Sequence, residues 1–134
     1  MRALLKWLGV SLLLALLAVG VLIALSWAPD LPLAQLKARW APAPSQFIEL
    51  QGMSVHLRDE GPRDDPIPLL LLHGTSASLH TWDGWAQALT ERRRVIRVDL
   101  PGFGLTGAFP DGNYRMAHYT AFTVALLDVL GVEQ

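Results

Sequence analysis

The chain has 134 residues, of which 51% are hydrophobic and 17% charged, and its formal net charge is −1. That length holds one small domain at most, and the near-neutral balance leaves no basic surface for nucleic acid. There is no cysteine, which excludes disulfides, thiolate metal sites and lipid attachment through a thiol.

Residues 7–29 contain no charged side chain and are dominated by Leu, Val and Ala. A run of that length crosses a bilayer as a helix. Trp7 and Trp27 bracket it, about 30 Å apart along a helix, close to the hydrocarbon thickness. Indole rings favour the two interfaces, where the ring is half apolar and the N–H finds a partner. Ala24-Leu25-Ser26 resembles a small-x-small cleavage site, but the run is longer than a usual signal h-region and favours an uncleaved signal-anchor over residues 1–29. Arg2 and Lys6 precede the run, while Lys37 and Arg39 follow it. The tight amino-terminal pair predicts a single-pass membrane protein with its amino terminus inside and the remainder exported. Membrane lipid is then a partner through this helix.

Residues 30–45 carry Pro32, Pro42 and Pro44 and read as a Pro-rich linker. Within them, residues 33–40 fit either a short amphipathic helix lying on the membrane or a plain connector.

The globular part is expected over residues 46–134. Residues 47–50 read as a strand, Gln51-Gly52 as a turn, and residues 53–58 as a half-buried strand with alternating apolar and polar side chains, which together make an antiparallel hairpin. A polar loop over residues 61–66 follows. Residues 67–72 are continuously apolar and suit a strand covered on both faces. Residues 78–91 read as a helix with Leu79, Trp82, Trp85, Ala86 and Leu89 on one stripe. Residues 95–98 are the next strand, residues 101–113 a Gly- and Pro-rich loop, and residues 116–130 a second helix with Gly131 at its carboxyl cap. Strands alternating with helices predict an α/β fold, with a mostly parallel sheet and helices on both faces.

Two motifs sit at the ends of strands. Leu69-Leu70-Leu71-Leu72-His73-Gly74-Thr75, followed by Trp82, runs a buried strand into a His-Gly turn and a helix. Asp99-Leu100-Pro101-Gly102-Phe103-Gly104 follows the next strand. In this order, behind a hairpin, they resemble the α/β-hydrolase superfamily over residues 47–134. Relatives often carry Ser where Leu105-Thr106 stand here, a departure that bears on loop packing.

The resemblance implies an oxyanion hole in which the backbone N–H of Thr75, with Ser76 second, faces the developing negative charge of acyl transfer. A preorganised donor of this kind is worth about 3 kcal/mol, and the following helix adds its positive end. Gly74 is expected to let the chain turn tightly and a substrate approach. His73 is implied as a structural anchor, since the family's catalytic histidine lies near the carboxyl terminus. Asp99 is implied as the residue that fixes its own turn, with Gly102 and Gly104 supporting it. Phe103 or Leu105 is a candidate for the pocket wall.

Two other patterns compete. Gly102-x-Gly104-x-x-Gly107 formally matches a dinucleotide fingerprint, but residues 108–112 continue as loop where that motif needs a helix, so no nucleotide is expected. Gly74-Thr75-Ser76-Ala77-Ser78 is nearly a Gly-x-Ser-x-Gly elbow, with Asp99 and His118 following in the superfamily's Ser, Asp, His order. A compact triad of Ser76, Asp99 and His118 is the alternative catalytic reading; Ser78 in place of the final glycine and His118 on a separate element argue against it. His56 and His80 have no partner at metal-ligand spacing, so neither a metal nor any other cofactor is expected.

The resemblance further implies that the nucleophile, the acid and the catalytic histidine follow Gln134. The residues present are expected to be the amino-terminal portion of a membrane-anchored hydrolase acting on an ester or related small apolar substrate, inactive and poorly folded when isolated, with strand 67–72 as an exposed apolar edge. Ser and Asp both remain open as nucleophile, the latter giving epoxide hydrolase or dehalogenase chemistry. The readings from other classes are a non-catalytic membrane-tethered binding module and a small membrane protein whose anchor is its main function.

Overall fold

A computed structural model describes residues 2–132; Met1, Glu133 and Gln134, which end the expected anchor and hydrolase portions, lie outside the described residues. The chain divides into two compact units, Met1–Leu31 and Pro32–Gln134.

The first unit is one helix, α1 (Arg2–Ser26), with no buried residue. Its most apolar stretch has a mean hydropathy of 2.8. A helix that is apolar on every side needs a non-aqueous surrounding. Its length and composition suffice to cross a membrane, a property that anchors and signal sequences share.

The second unit begins with α2 (Leu33–Trp40). It starts after Pro32 and stops at Ala41, as the restriction before Pro42 requires. Of the two expectations for residues 33–40, the helix is the one that forms, and it packs on the domain. Lys37 Nζ lies 3.9 Å from the centroid of the Phe47 ring, and the Trp40 carbonyl accepts from His80 Nε2 at 2.8 Å. Most of the expected linker is therefore part of the compact unit.

Four strands follow, β1 (Gln46–Leu50), β2 (Met53–Glu60), β3 (Leu69–Leu72) and β4 (Val95–Val98), in the order β1-β2-β4-β3. Gln51 and Gly52 turn the hairpin with φ of 50° and 76°, the pair of positive values that matches the twist of its strands. The sheet is mixed: β2 is antiparallel to β1 and β4, and among the described residues the β3–β4 pair alone is parallel. The expected mostly parallel sheet is corrected on this point, because only the β3–β4 connection crosses over through a helix.

That crossover is also not one helix over residues 78–91. A 3₁₀ turn, Leu79–Trp82, leads into α3 (Asp83–Leu89). Leu79 and Ala86 are buried, but Trp85 is 61% exposed and leaves the expected stripe; the change of helical pitch at Asp83 rotates it outward. α4 (Met116–Val129) ends as the glycine suggested. Gly131, at φ 64°, lets Val132 N–H reach Leu127 O and its own N–H reach Asp128 O, closing a Schellman cap.

The two faces of the sheet differ. Val55, Leu57 and Val98 point toward α4 and pack with Leu50, Met53, Phe109, Phe122 and Leu126. The alternate residues His56, Arg58 and Glu60 of β2 and Arg97 of β4 point the other way, where Arg97 pairs with Glu60 and with Asp83 of α3. The expected half-buried β2 is corrected: it is a central strand, and the polar face it shares with β4 is covered, with His56 0% and Arg97 of β4 2% exposed. β3 is shorter than the expected 67–72 and is not covered on both faces. It starts after Pro68 and ends the strand order, with Leu69, Leu70 and Leu71 half-buried and Ile67 72% exposed. Its outer edge is unpaired among the described residues, as expected for that strand.

Candidate functional site

The register aligns Leu72 of β3 with Val98 of β4. His73 and Asp99 therefore leave the carboxyl ends of adjacent parallel strands side by side, the place where open α/β sheets receive ligands. His73 is buried, and both its ring nitrogens are used by the backbone. Leu100 N–H donates to Nε2 at 3.0 Å, which leaves the proton on Nδ1 to donate to Gly74 O at 2.8 Å.

Beyond it Gly74, Thr75 and Ser76 are exposed. Among the described residues, the N–H groups of Thr75 and Ser76 donate to no protein acceptor. The left-handed position of this turn is Ser76, at φ 58°, a conformation that costs a non-glycine residue about 1–2 kcal/mol. A Cβ added to Gly74 would meet nothing within 4 Å, so this glycine leaves open space above the turn and supplies no special dihedral.

Asp99 is 1% exposed and has both oxygens occupied. Leu79 N–H donates to Oδ1 at 2.7 Å. Oδ2 accepts from Leu105 N–H at 2.8 Å and from His56 Nδ1 at 2.7 Å. Burial pushes this carboxyl toward protonation, but the bonds from His56, Leu105 and Leu79 and the His56 charge outweigh it and hold the carboxyl below its ordinary value. Gly104 is required here: at φ 53° its added Cβ would lie 2.2 Å from Asp99 Oδ2. Gly102 turns beneath Tyr114 at φ 83°. Residues 101–112 contain turns and no helix, so the Gly102, Gly104, Gly107 pattern lacks the helix start that a pyrophosphate needs.

The structure does not join Ser76, Asp99 and His118. The histidine on Asp99 is His56, whereas His118 Nε2 lies 3.6 Å from Asp111 and its ring packs on Phe109. His56 carries no site signal in the sequence, where it and His80 lack a partner at metal-ligand spacing. Its Nε2 faces Ser45 Oγ at 2.9 Å, and Ser45 Oγ accepts from Arg58 Nε at 2.9 Å. The one available signal was the unmet acceptor capacity of Asp99. Among the described residues no three His, Asp or Glu side chains converge as metal ligands.

A cavity of about 540 Å³ opens beside the turn, with His73, Gly74, Thr75 and Phe103 on one side and Met116 and Tyr119 of α4 on the other. Phe103 is thus on its wall, while Leu105 lines a separate space of about 200 Å³ with Leu36, His56 and His80.

A family profile described as alpha/beta hydrolase fold matches residues 67–134. The 2-hydroxymuconate semialdehyde hydrolase of Pseudomonas putida is 31% identical over 100 residues, covering 69% of this chain and 34% of that protein. The crystal structure of a haloalkane dehalogenase from Bradyrhizobium elkani aligns at 30% identity and a TM-score of 0.58, over 65% of this chain and 29% of that one. That of a bacterial membrane phospholipase A, a virulence factor, aligns at 26% identity and a TM-score of 0.65, over 100% of this chain and 42% of that one. The chain spans about a third of the length of the curated relatives it matches.

Proposed function

The chain belongs to the α/β-hydrolase fold family, and from that premise we propose that residues 73–76 are the oxyanion loop of a hydrolase acting on an ester or related small apolar substrate. The observation that carries this reading is the exposed Thr75-Ser76 turn, whose N–H groups have no protein acceptor among the described residues and whose Ser76 holds a left-handed φ. Free backbone donors at a strand end, beside an apolar cavity, suit a carbonyl oxygen that gains negative charge. Strain kept at such a point is characteristic of functional turns. His73 and Asp99 are the supports of that loop, with Gly102 and Gly104 as the supports of Asp99. In a complete hydrolase the second oxyanion donor is the N–H that follows the nucleophile.

The test is hydrolysis of p-nitrophenyl butyrate by the full-length protein, with a fluorophosphonate probe alongside. Ester turnover together with serine labelling elsewhere than Ser76 is the expected result. Stoichiometric labelling of Ser76 would restore the compact triad and overturn the assignment. Absence of turnover and of labelling would favour a non-catalytic binding module.

A second reading has an observation of its own, the likeness to a haloalkane dehalogenase. An Asp nucleophile would serve the same fold, and release of halide from a chloroalkane without probe labelling is its signature.

The length of the apolar run in α1, greater than that of a usual signal h-region, supports an uncleaved membrane anchor, with the amino terminus inside as Arg2 and Lys6 favour. A reporter fused after Gln46 that is active only in the cytoplasm would sink this orientation.

A further inference from the structure

The exposed turn 74–76 is held at both ends by two consecutive residues. Leu100 N–H ties down His73 at its start, and Asp99 Oδ1 takes Leu79 N–H at its end. The conformation of the turn therefore follows the placement of the Asp99 carboxylate. One bonded oxygen leaves a carboxylate free to swing about its side-chain torsion. Its second oxygen fixes it only if the partner is itself fixed.

Leu105 belongs to the turn that Asp99 organises and moves with it. His56 does not. It sits on the central strand β2, 0% exposed. Its N–H donates to Thr106 Oγ1 at 3.0 Å, and its carbonyl accepts from Asp99 N–H at 3.0 Å. Its ring stacks on Phe47 at 4.9 Å. With Nδ1–H donated to Asp99, Nε2 meets the Ser45 hydroxyl oxygen, which Arg58 holds from behind.

We infer that Ser45, His56 and Asp99 form a positioning relay for the oxyanion loop, in which His56 fixes Asp99 and Ser45 fixes the His56 ring. The inference rests on the oxyanion reading for its catalytic consequence, but its structural part stands apart from it. The order Ser-His-Asp also invites a nucleophilic interpretation. Ser45 is not on the wall of the cavity that His56 and Asp99 border, and its oxygen is occupied by Arg58. The relay therefore orients groups and does not attack a substrate.

The experiment compares His56→Ala, His56→Asn and Ser45→Ala in the full-length protein by hydrogen–deuterium exchange over residues 74–79 and by hydrolysis of p-nitrophenyl butyrate. His56→Ala should speed exchange of the Leu79 N–H in this segment about tenfold, the loss of one charge-assisted bond, while the β1–β2 hairpin turn is unchanged. It should lower kcat by about tenfold to a hundredfold and leave KM within twofold. His56→Asn should recover most of both, because its amide N–H2 can occupy the place of Nδ1, and Ser45→Ala should show the smallest change. Exchange over 74–79 that does not respond to His56→Ala, uniform loosening of the whole unit, an Asn variant no better than Ala, or fluorophosphonate labelling at Ser45 would each overturn the relay. If the exchange response appears but the wild-type protein cleaves no ester, the relay stands and the proposed function falls.

Discussion

The two faces of the same sheet are held by different physics. Toward α4, Val55, Leu57 and Val98 meet Phe109, Phe122 and Leu126 in an apolar core. Toward the 3₁₀ turn and α3, the alternate side chains of the same strands are His56, Arg58, Glu60 and Arg97, joined to Asp99, Ser45 and Asp83 by hydrogen bonds and ion pairs. Apolar packing tolerates small displacements at modest cost. A hydrogen-bonded face does not, because each buried polar group must keep its partner in place. The proposed oxyanion loop lies at the end of the second face, where its position depends on directional contacts.

The largest stability effect is expected on the apolar side. Phe122→Ala removes a fully buried ring and should cost about 3–5 kcal/mol, read from the urea midpoint of the full chain in detergent. A loss under about 1 kcal/mol would mean that α4 does not close this core. On the polar side, Arg97→Met leaves Glu60 and Asp83 behind. Those carboxylates are 23% and 51% exposed and can rehydrate, so the expected cost is smaller, about 2 kcal/mol. Equal losses on the two sides would erase the distinction.

The polar side should also respond to acid. The Asp99 carboxyl is held below its unfolded value of about 3.9. Its contribution is therefore complete above that value and disappears as pH falls through the lower folded one. The stability gap between the wild-type chain and Asp99→Asn should be widest near neutrality and close below about pH 4. A gap independent of pH would mean that the carboxylate charge is not what binds Leu79, Leu105 and His56. The smallest effect is expected outside both faces. Gly131→Ala forces a side chain into a left-handed φ of 64° and should cost about 1 kcal/mol.

The same contrast explains what was legible in the sequence. The hairpin, β4 and α4 could be read because apolar residues recur with a strand or helix period and Gln51-Gly52 and Gly131 punctuate them. The Asp99 turn could be read because its glycines are local to it. The polar face could not. His56 and Arg58 alternate with Val55 and Leu57, which is also the pattern of a strand with one face in water, and Arg97 gives no sign that Asp83 will cover it. The partner of Asp99 lies 43 residues upstream, beyond any motif. The 3₁₀ start of the crossover was hidden because residues 79–82 satisfy a helical pattern at either pitch. The left-handed dihedral could not be read either, because Ser76 is not a residue type that favours it.

The oxyanion loop turns on one backbone N–H, that of Thr75. In the full-length protein, replacing Thr75 by its α-hydroxy counterpart converts the Gly74–Thr75 amide to an ester and removes that donor while keeping the side chain. The oxyanion assignment predicts a fall in kcat for p-nitrophenyl butyrate of about a hundredfold to a thousandfold with KM unchanged. An unaltered kcat would contradict it.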